Sequence, residues 1–68
     1  MEKEIKLTEK ERKVLKYIAN GMDDKMIAVK LDCSYATVRL ILMGLFKTFR
    51  TNKRAEMIYL ACKNGILN

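Results

Sequence analysis

Positively charged side chains are the feature of this sequence best able to do chemistry, and they are unevenly distributed. The 68 residues carry 14 Lys and Arg against 8 Asp and Glu, a net charge of +6. Residues 1–38 are nearly balanced, whereas residues 39–68 contain a single acidic residue, Glu56. The cations of this basic half are Arg39, Lys47, Arg50, Lys53, Arg54 and Lys63. Such a basic half suits a polyanion, either nucleic acid or an acidic surface, although many small domains are basic for solubility alone.

Other kinds of chemistry are poorly represented. The sequence has no histidine, no glycine-rich phosphate loop and no pair of carboxylates at catalytic spacing. Cys33 and Cys62 stand in apolar surroundings and cannot complete a four-ligand zinc site, so we expect small core residues in a reducing cytoplasm. No apolar run approaches the roughly 18 residues of a membrane span. We therefore expect a cytoplasmic protein that is not an enzyme and binds no cofactor, metal, membrane or small molecule.

The stretch from Ser34 to Phe49 contains two cations of the basic half, Arg39 and Lys47, and would present them to a partner. Ser34 is a good helix N-cap, because its hydroxyl can accept a bond from a free backbone N–H of the first turn. The apolar residues that follow share one face of a helix, namely Val38, Leu42, Leu45, Phe46 and Phe49. The opposite face carries Thr37, Arg39, Leu40, Met43, Gly44 and Lys47. The pattern predicts a helix whose back is core and whose front shows cations and apolar side chains to a partner, which we expect to be DNA.

Three further helices are indicated by their start and stop signals. Thr8 with Glu11 forms a capping box, Gly21 follows the first apolar stripe, and Asp23 is the next N-cap candidate. We predict an all-α domain of four helices at residues 8–19, 24–31, 34–49 and 53–64. The domain spans residues 7–68 and follows a flexible N-terminus at residues 1–6. A three-residue link, Asp32-Cys33-Ser34, joins the second and third helices, which is the helix-turn-helix arrangement.

A known family shows the same residues in the same order. The matching segments are Leu7-Thr8-x-x-Glu11, Val14-Leu15-x-x-Ile18-Ala19-x-Gly21, Lys25-x-Ile27-Ala28-x-x-Leu31, Ser34-x-x-Thr37-Val38-Arg39 and Arg54-Ala55. Together they resemble the LuxR/GerE/NarL-type DNA-binding domain along nearly the whole chain. The resemblance implies a bacterial transcription regulator that inserts its third helix into the major groove and dimerises through its fourth helix. As in GerE, no receiver or ligand domain is expected to be attached.

The resemblance also implies which residues bind. Arg39 and Lys25 match family positions that contact DNA. Arg54 matches a family arginine near the start of the fourth helix, with two alternatives, contact with phosphate or internal pairing with Glu11. Ser34, Tyr35 and Thr37 begin the third helix, where hydroxyls and the helix dipole favour phosphate oxygens, and Lys47 lies about two turns beyond Arg39. The surface offered to a second subunit is expected to include Met57, Tyr59, Leu60 and Lys63, with Tyr59 as a core residue the alternative.

Two segments depart from the family pattern. Leu40-Ile41 stand where a polar residue and histidine are common, and Thr48-Phe49-Arg50-Thr51 replace the family's Lys-Leu-Gly-Val. The quorum-sensing branch, which is TraR-like, varies similarly. Exposed Leu40 and Met43 can contact thymine methyl groups. They could equally form a protein-binding patch beside Gly44, or the helix could be rotated so that Leu40 is partly buried.

These departures support a second functional hypothesis. In it, the chain is a protein-interaction module that pairs with a LuxR-type regulator and antagonises it without reading DNA. Substituting Leu40 and Met43 separates the two hypotheses, because one predicts altered sequence preference and the other loss of a protein complex.

Overall fold

Four helices account for most of the chain, which is an all-α domain as the sequence predicts. The computed structural model describes residues 5–67 and contains α1 (Glu9–Ala19), α2 (Asp24–Leu31), α3 (Tyr35–Phe49) and α4 (Arg54–Lys63). The four predicted helices are confirmed, and within residues 5–67 there is no strand. The predicted ends differ by one residue where a cap had been counted as helix, as at Ser34 and Asn64.

Side chains cap the first three helices as the sequence predicts. At α1, Glu11 N–H donates to Thr8 Oγ1 at 3.1 Å and Thr8 N–H donates to Glu11 Oε1 at 2.9 Å. At α2, Met26 N–H donates to Asp23 Oδ1 at 2.9 Å. Each bond satisfies a backbone donor that has no partner inside the helix, so these helix starts are fixed by local sequence.

The start of α4 is built differently. Its N-cap residue, Lys53, makes no side-chain capping bond. Instead, Thr51 Oγ1 accepts a bond from Lys53 N–H at 3.1 Å and donates to Glu56 Oε1 at 2.6 Å. The turn before α4 is thereby tied to the first turn of the helix, which fixes where Arg54 stands.

The ends of α1 and α3 use different residues for the same backbone geometry. Gly21 follows α1 with φ 87°, in the left-handed region that glycine adopts most readily. Arg50 follows α3 with φ 56°, although it has a Cβ. The chain therefore carries a strained arginine at the end of α3, in a conformation that glycine adopts without strain.

The core is centred on α3. This helix contributes four buried residues, and every other helix packs its apolar face toward them. The buried residues are Val14, Leu15, Ile27, Ala28, Val38, Leu42, Leu45, Phe49, Met57, Ala61 and Leu67. The segment after α4 folds back onto the helix, since Ile66 N–H and Leu67 N–H donate to Ala61 O at 2.8 and 3.2 Å.

Several expectations about single residues are corrected. Met57 has no exposed surface and packs in the core, so its side chain cannot meet a second subunit. Cys62 is exposed rather than buried, and Cys33 is half-buried. Of the predicted flexible segment 1–6, residues 1–4 lie outside the described residues, whereas Ile5 packs against the core. No helix in the described part of the chain is long and apolar enough to cross a membrane.

Candidate nucleic-acid interface

The outer side of α3 is turned to solvent, as its sequence pattern predicts. Val38 and Leu45 anchor the inner side with no exposed surface, which leaves the opposite side uncovered. Leu40 is 67% exposed and Met43 is 63% exposed. The alternative of a rotated helix with Leu40 partly buried is therefore wrong.

Arg39 stands beside an aromatic ring on the same helix. Its guanidinium carbon lies 5.8 Å from the centroid of the Tyr35 ring, one turn toward the N-terminus. Tyr35 is itself 45% exposed. A cation over a ring face at this distance is attracted by the ring quadrupole, which restricts the guanidinium while leaving its N–H groups free to donate.

The hydroxyls at the start of α3 are already engaged. Thr37 N–H donates to Ser34 Oγ at 3.1 Å, and the Ser34 and Thr37 hydroxyl oxygens are 2.9 Å apart in a hydrogen bond. Ser34 is thus the N-cap that the sequence predicts, and its oxygen is occupied by the helix. Thr37 is half-buried, while Ser34 and Tyr35 are exposed.

Arg54 pairs with a residue that the sequence did not indicate. Its Nη2 lies 2.5 Å from Asp24 Oδ1, which joins the first residue of α4 to the first residue of α2. The internal partner of Arg54 is therefore Asp24 and not Glu11. Glu11 instead completes the α1 capping box and lies next to α3, where a Cβ on Gly44 would be 3.7 Å from Glu11 Oε2.

Two neighbouring surface grooves bring most of the candidate residues together. One is lined by Asp24, Arg39, Leu42, Met43, Phe46 and Arg54. The other is lined by Asp23, Asp24, Lys25, Tyr35 and Arg54. The Asp24–Arg54 pair belongs to both, so it lies between Lys25 on α2 and Arg39 on α3. Leu40 and Lys47 do not line these grooves and extend the exposed side of α3 beyond them.

The cations of this surface outnumber its carboxylates, which are Asp23 and Asp24. Asp24–Arg54 is the only salt bridge between residues 5 and 67, so Lys25, Arg39 and Lys47 have no carboxylate partner there. No group of three or more potential metal ligands occurs in that range either. The site therefore offers cationic donors and apolar contacts, which is the combination that contacts phosphates and base edges.

The candidate dimer residues on α4 divide into two kinds. Tyr59 is 60% exposed, which excludes the alternative that it is core. The Lys63 Nζ lies 6.0 Å from the Tyr59 ring centroid, one turn further along the helix. Leu60 is half-buried, and Met57 is in the core. The exposed part of this face therefore consists of Tyr59 and Lys63 with the edge of Leu60.

Comparisons with known proteins agree with this geometry. Residues 6–61 match the family described as bacterial regulatory proteins, luxR family. The transcriptional regulatory protein YdfI of Bacillus subtilis (strain 168) is 42% identical over 64 residues, which are 94% of this chain and 30% of that protein. The nitrate/nitrite response regulator protein NarL of Escherichia coli (strain K12) is 40% identical over 50 residues, which are 74% of this chain and 23% of that protein. The chain thus spans less than a third of the length of these curated relatives, which are named as regulators.

Proposed function

Because the chain belongs to the luxR family of bacterial regulatory proteins, we propose that it is a DNA-binding domain that regulates transcription by placing α3 in the major groove. The observation that carries this proposal is the outer side of α3, where Arg39 and Lys47 are exposed together with Leu40 and Met43. The major groove is wide enough to admit an α-helix, and base edges there offer both hydrogen-bonding groups and thymine methyl groups.

Residues on the outer side of α3 have the chemistry to read bases. Arg39 can donate two hydrogen bonds to the O6 and N7 atoms of guanine, since a guanidinium matches that pair of acceptors. Leu40 and Met43 can pack against thymine methyl groups, which accept only apolar contact. These three residues would supply the sequence preference of the domain.

The remaining candidate residues surround this side and suit the DNA backbone. Their cations and hydroxyls donate to phosphate oxygens, with only one of the Ser34 and Thr37 hydroxyl protons free to do so while these two groups are bonded to each other. The N-terminal end of α3 adds the positive end of a helix dipole. In this proposal the phosphate contacts come from Lys25, Ser34, Tyr35, Thr37, Lys47 and Arg54. Such contacts position the helix without reading sequence and make the affinity depend steeply on salt.

The test is a binding titration with duplex DNA at several salt concentrations. We expect wild-type affinity to fall steeply with salt and Arg39→Ala to weaken binding by about tenfold. Arg12→Ala is the matched control, because Arg12 is an exposed arginine on α1 and does not line either groove of the interface. Absence of binding to any duplex even at low salt would contradict the proposal.

A second candidate function is favoured by the exposure of Leu40 and Met43. Two large apolar side chains that are about two-thirds exposed, next to Gly44, also suit a protein partner. In this alternative the domain pairs with a LuxR-type regulator and antagonises it without reading DNA. Replacing Leu40 and Met43 by serine separates the two functions. If α3 reads bases, the double variant should prefer a different DNA sequence. If the domain binds a protein partner instead, the variant should lose the protein complex while its affinity for DNA is unaffected.

Dimerisation through α4 is part of the proposal. Tyr59 and Lys63 lie one turn apart on the exposed side of α4, beside half-buried Leu60, and could pack on the same residues of a second copy. Sedimentation equilibrium tests this: Tyr59→Ala should shift the protein toward monomer, because it removes the largest exposed side chain of the contact. A wild type that stays monomeric at every concentration, with or without DNA, would contradict it.

A further inference from the structure

The Asp24–Arg54 pair has a geometry that suits a role in the interface. Asp24 follows the N-cap Asp23, whose carboxylate already accepts the capping bond from Met26 N–H, so the Asp24 carboxylate is not needed for capping. It bonds to Arg54, which lies 30 residues away in the sequence. The side chain of Asp24 is 15% exposed and that of Arg54 is 43% exposed. Asp24 is therefore the inner member of the pair and Arg54 the outer one.

The inner carboxylate leaves most of the guanidinium available. An arginine has five N–H donors in a planar fork, and Asp24 accepts a bond at Nη2. Arg54 also lines the groove that contains Arg39, and the neighbouring groove that contains Lys25. A phosphate that lies over these grooves would meet the outer edge of Arg54 with the carboxylate behind it.

We propose that Asp24 is a positioning residue for DNA binding, which holds the Arg54 guanidinium toward a backbone phosphate between Arg39 and Lys25. This inference rests on the proposed function and deepens it. A partly exposed salt bridge adds little to the stability of a fold, so the consequence of this one lies in the orientation of Arg54. A long cationic side chain that is oriented before DNA arrives loses less conformational freedom on binding.

The main competing hypothesis is that Asp24 weakens DNA binding instead of supporting it. A carboxylate close to a phosphate also repels it, and by that effect alone its removal would tighten binding to DNA. The two effects of Asp24 predict opposite signs for Asp24→Asn, which keeps the shape of the side chain but removes its charge. Positioning predicts weaker binding even though the net charge of the protein rises by one unit.

The experiment measures dissociation constants and salt slopes by fluorescence anisotropy with a random-sequence duplex. We expect Asp24→Asn to weaken binding about threefold to tenfold, and Arg54→Gln to weaken it about tenfold with a salt slope smaller by about one. The double variant should bind like Arg54→Gln alone, because Asp24 acts through Arg54. Asp32→Asn is the matched control, since it removes one exposed carboxylate that lines neither groove.

The outcomes separate this inference from the proposed function. If the wild type binds no duplex, the proposed function fails and this inference fails with it. If the wild type binds, but Asp24→Asn binds as tightly as Asp32→Asn or tighter, only the positioning role is overturned. The same holds if Asp24→Asn still weakens binding when Arg54 is already glutamine.

A measurement on the wild type covers the case in which Asp24→Asn does not fold. The NMR resonance of the Arg54 Nε–Hε group should shift when the random duplex is added, because phosphate contact changes its surroundings. The corresponding resonance of Arg12, on α1, should shift much less. An Arg54 resonance that does not move while those of α3 do would overturn the inference.

Discussion

The outer sides of α1 and α3 both present cations to solvent, yet they differ in what surrounds these cations. On α1, Arg12, Lys13 and Lys16 line a groove against the C-terminal segment. On α3, Arg39 and Lys47 flank exposed apolar side chains on the side opposite the core. Counting cations alone would favour α1 as the helix that binds a polyanion, because α1 carries four and α3 carries two, although two carboxylates on α1 make the net charges of the helices equal.

The arrangement of the cations favours α3. Arg39 lies over the Tyr35 ring, and Arg54 beside it is bonded to Asp24. Between residues 5 and 67, the α1 cations have neither a carboxylate partner nor a ring, and the same is true of Lys47. Arg39 and Arg54 are therefore the cations that distinguish this side of the molecule from α1. Fixing a free lysine or arginine on binding costs about 1.5–2 kcal/mol of side-chain entropy. The difference teaches that an interface is indicated by oriented charge next to readable apolar surface, and only weakly by the number of cations.

The largest expected effect comes from reversing one charge on each helix. Lys47→Glu on α3 should weaken binding to a random duplex by tenfold or more, about 1.4 kcal/mol, since a phosphate contact becomes a repulsion. Lys13→Glu makes the same change on α1 and should cost only about twofold, through the overall field. Both are measured by anisotropy at one salt concentration. Equal losses would show that binding follows net charge and would remove the distinction between the two helices.

The next largest effect is on stability and concerns the contact between α1 and α3. Gly44→Ala should raise the free energy of unfolding by about 1 kcal/mol, because glycine inside a helix is that much less favourable than alanine. Space exists for the change, since the new Cβ would be 3.7 Å from Glu11 Oε2, an ordinary contact. Thermal unfolding would show a rise of about 4–8 °C.

Two further results would test the physical reason for the expected rise in stability of Gly44→Ala. Gly21→Ala is the contrasting variant and should destabilise the domain, because its φ of 87° is strained for alanine. A loss of stability from Gly44→Ala would mean that α1 and α3 pack more closely than the structure shows.

A smaller effect separates the ring of Tyr35 from its hydroxyl. Tyr35→Leu should weaken DNA binding about threefold, or about 0.7 kcal/mol, because Arg39 loses the ring that restricts it. Tyr35→Phe keeps the ring and loses only the proposed phosphate contact of the hydroxyl, so it should weaken binding less than Tyr35→Leu does. If Phe weakens binding as much as Leu does, the ring does not matter. Binding titrations with both variants at one salt concentration decide between these.

Local signals in the sequence predicted much of this architecture. Thr8, Asp23 and Ser34 cap helices where expected, because each cap involves residues only three apart. The period of apolar residues placed the inner and outer sides of α3 correctly. These features depend on neighbours along the chain, which a single sequence displays.

Features that depend on distant residues were not predicted. The partner of Arg54 was missed because Asp24 lies 30 residues away, and as a first-turn acid it already had a local explanation in the helix dipole. The burial of Met57 was missed for another reason. Residues Ala55, Ile58 and Leu60 make α4 apolar on several sides, so the period does not single out one face.

The smallest expected effect compares how α1 and α3 end. Arg50→Gly should raise the free energy of unfolding by roughly 0.5 kcal/mol, because φ 56° is strained for arginine and relaxed for glycine. Part of the gain is lost because glycine gives the unfolded chain more conformational freedom. Arg50→Ala removes the same charge but keeps a Cβ, so it should give no such gain. Urea unfolding of the three proteins measures the difference. Because the proposed interface does not use Arg50, Arg50→Gly should bind DNA as tightly as Arg50→Ala does. If only the glycine variant binds more weakly, the end of α3 must be stiff to hold Lys47 in place.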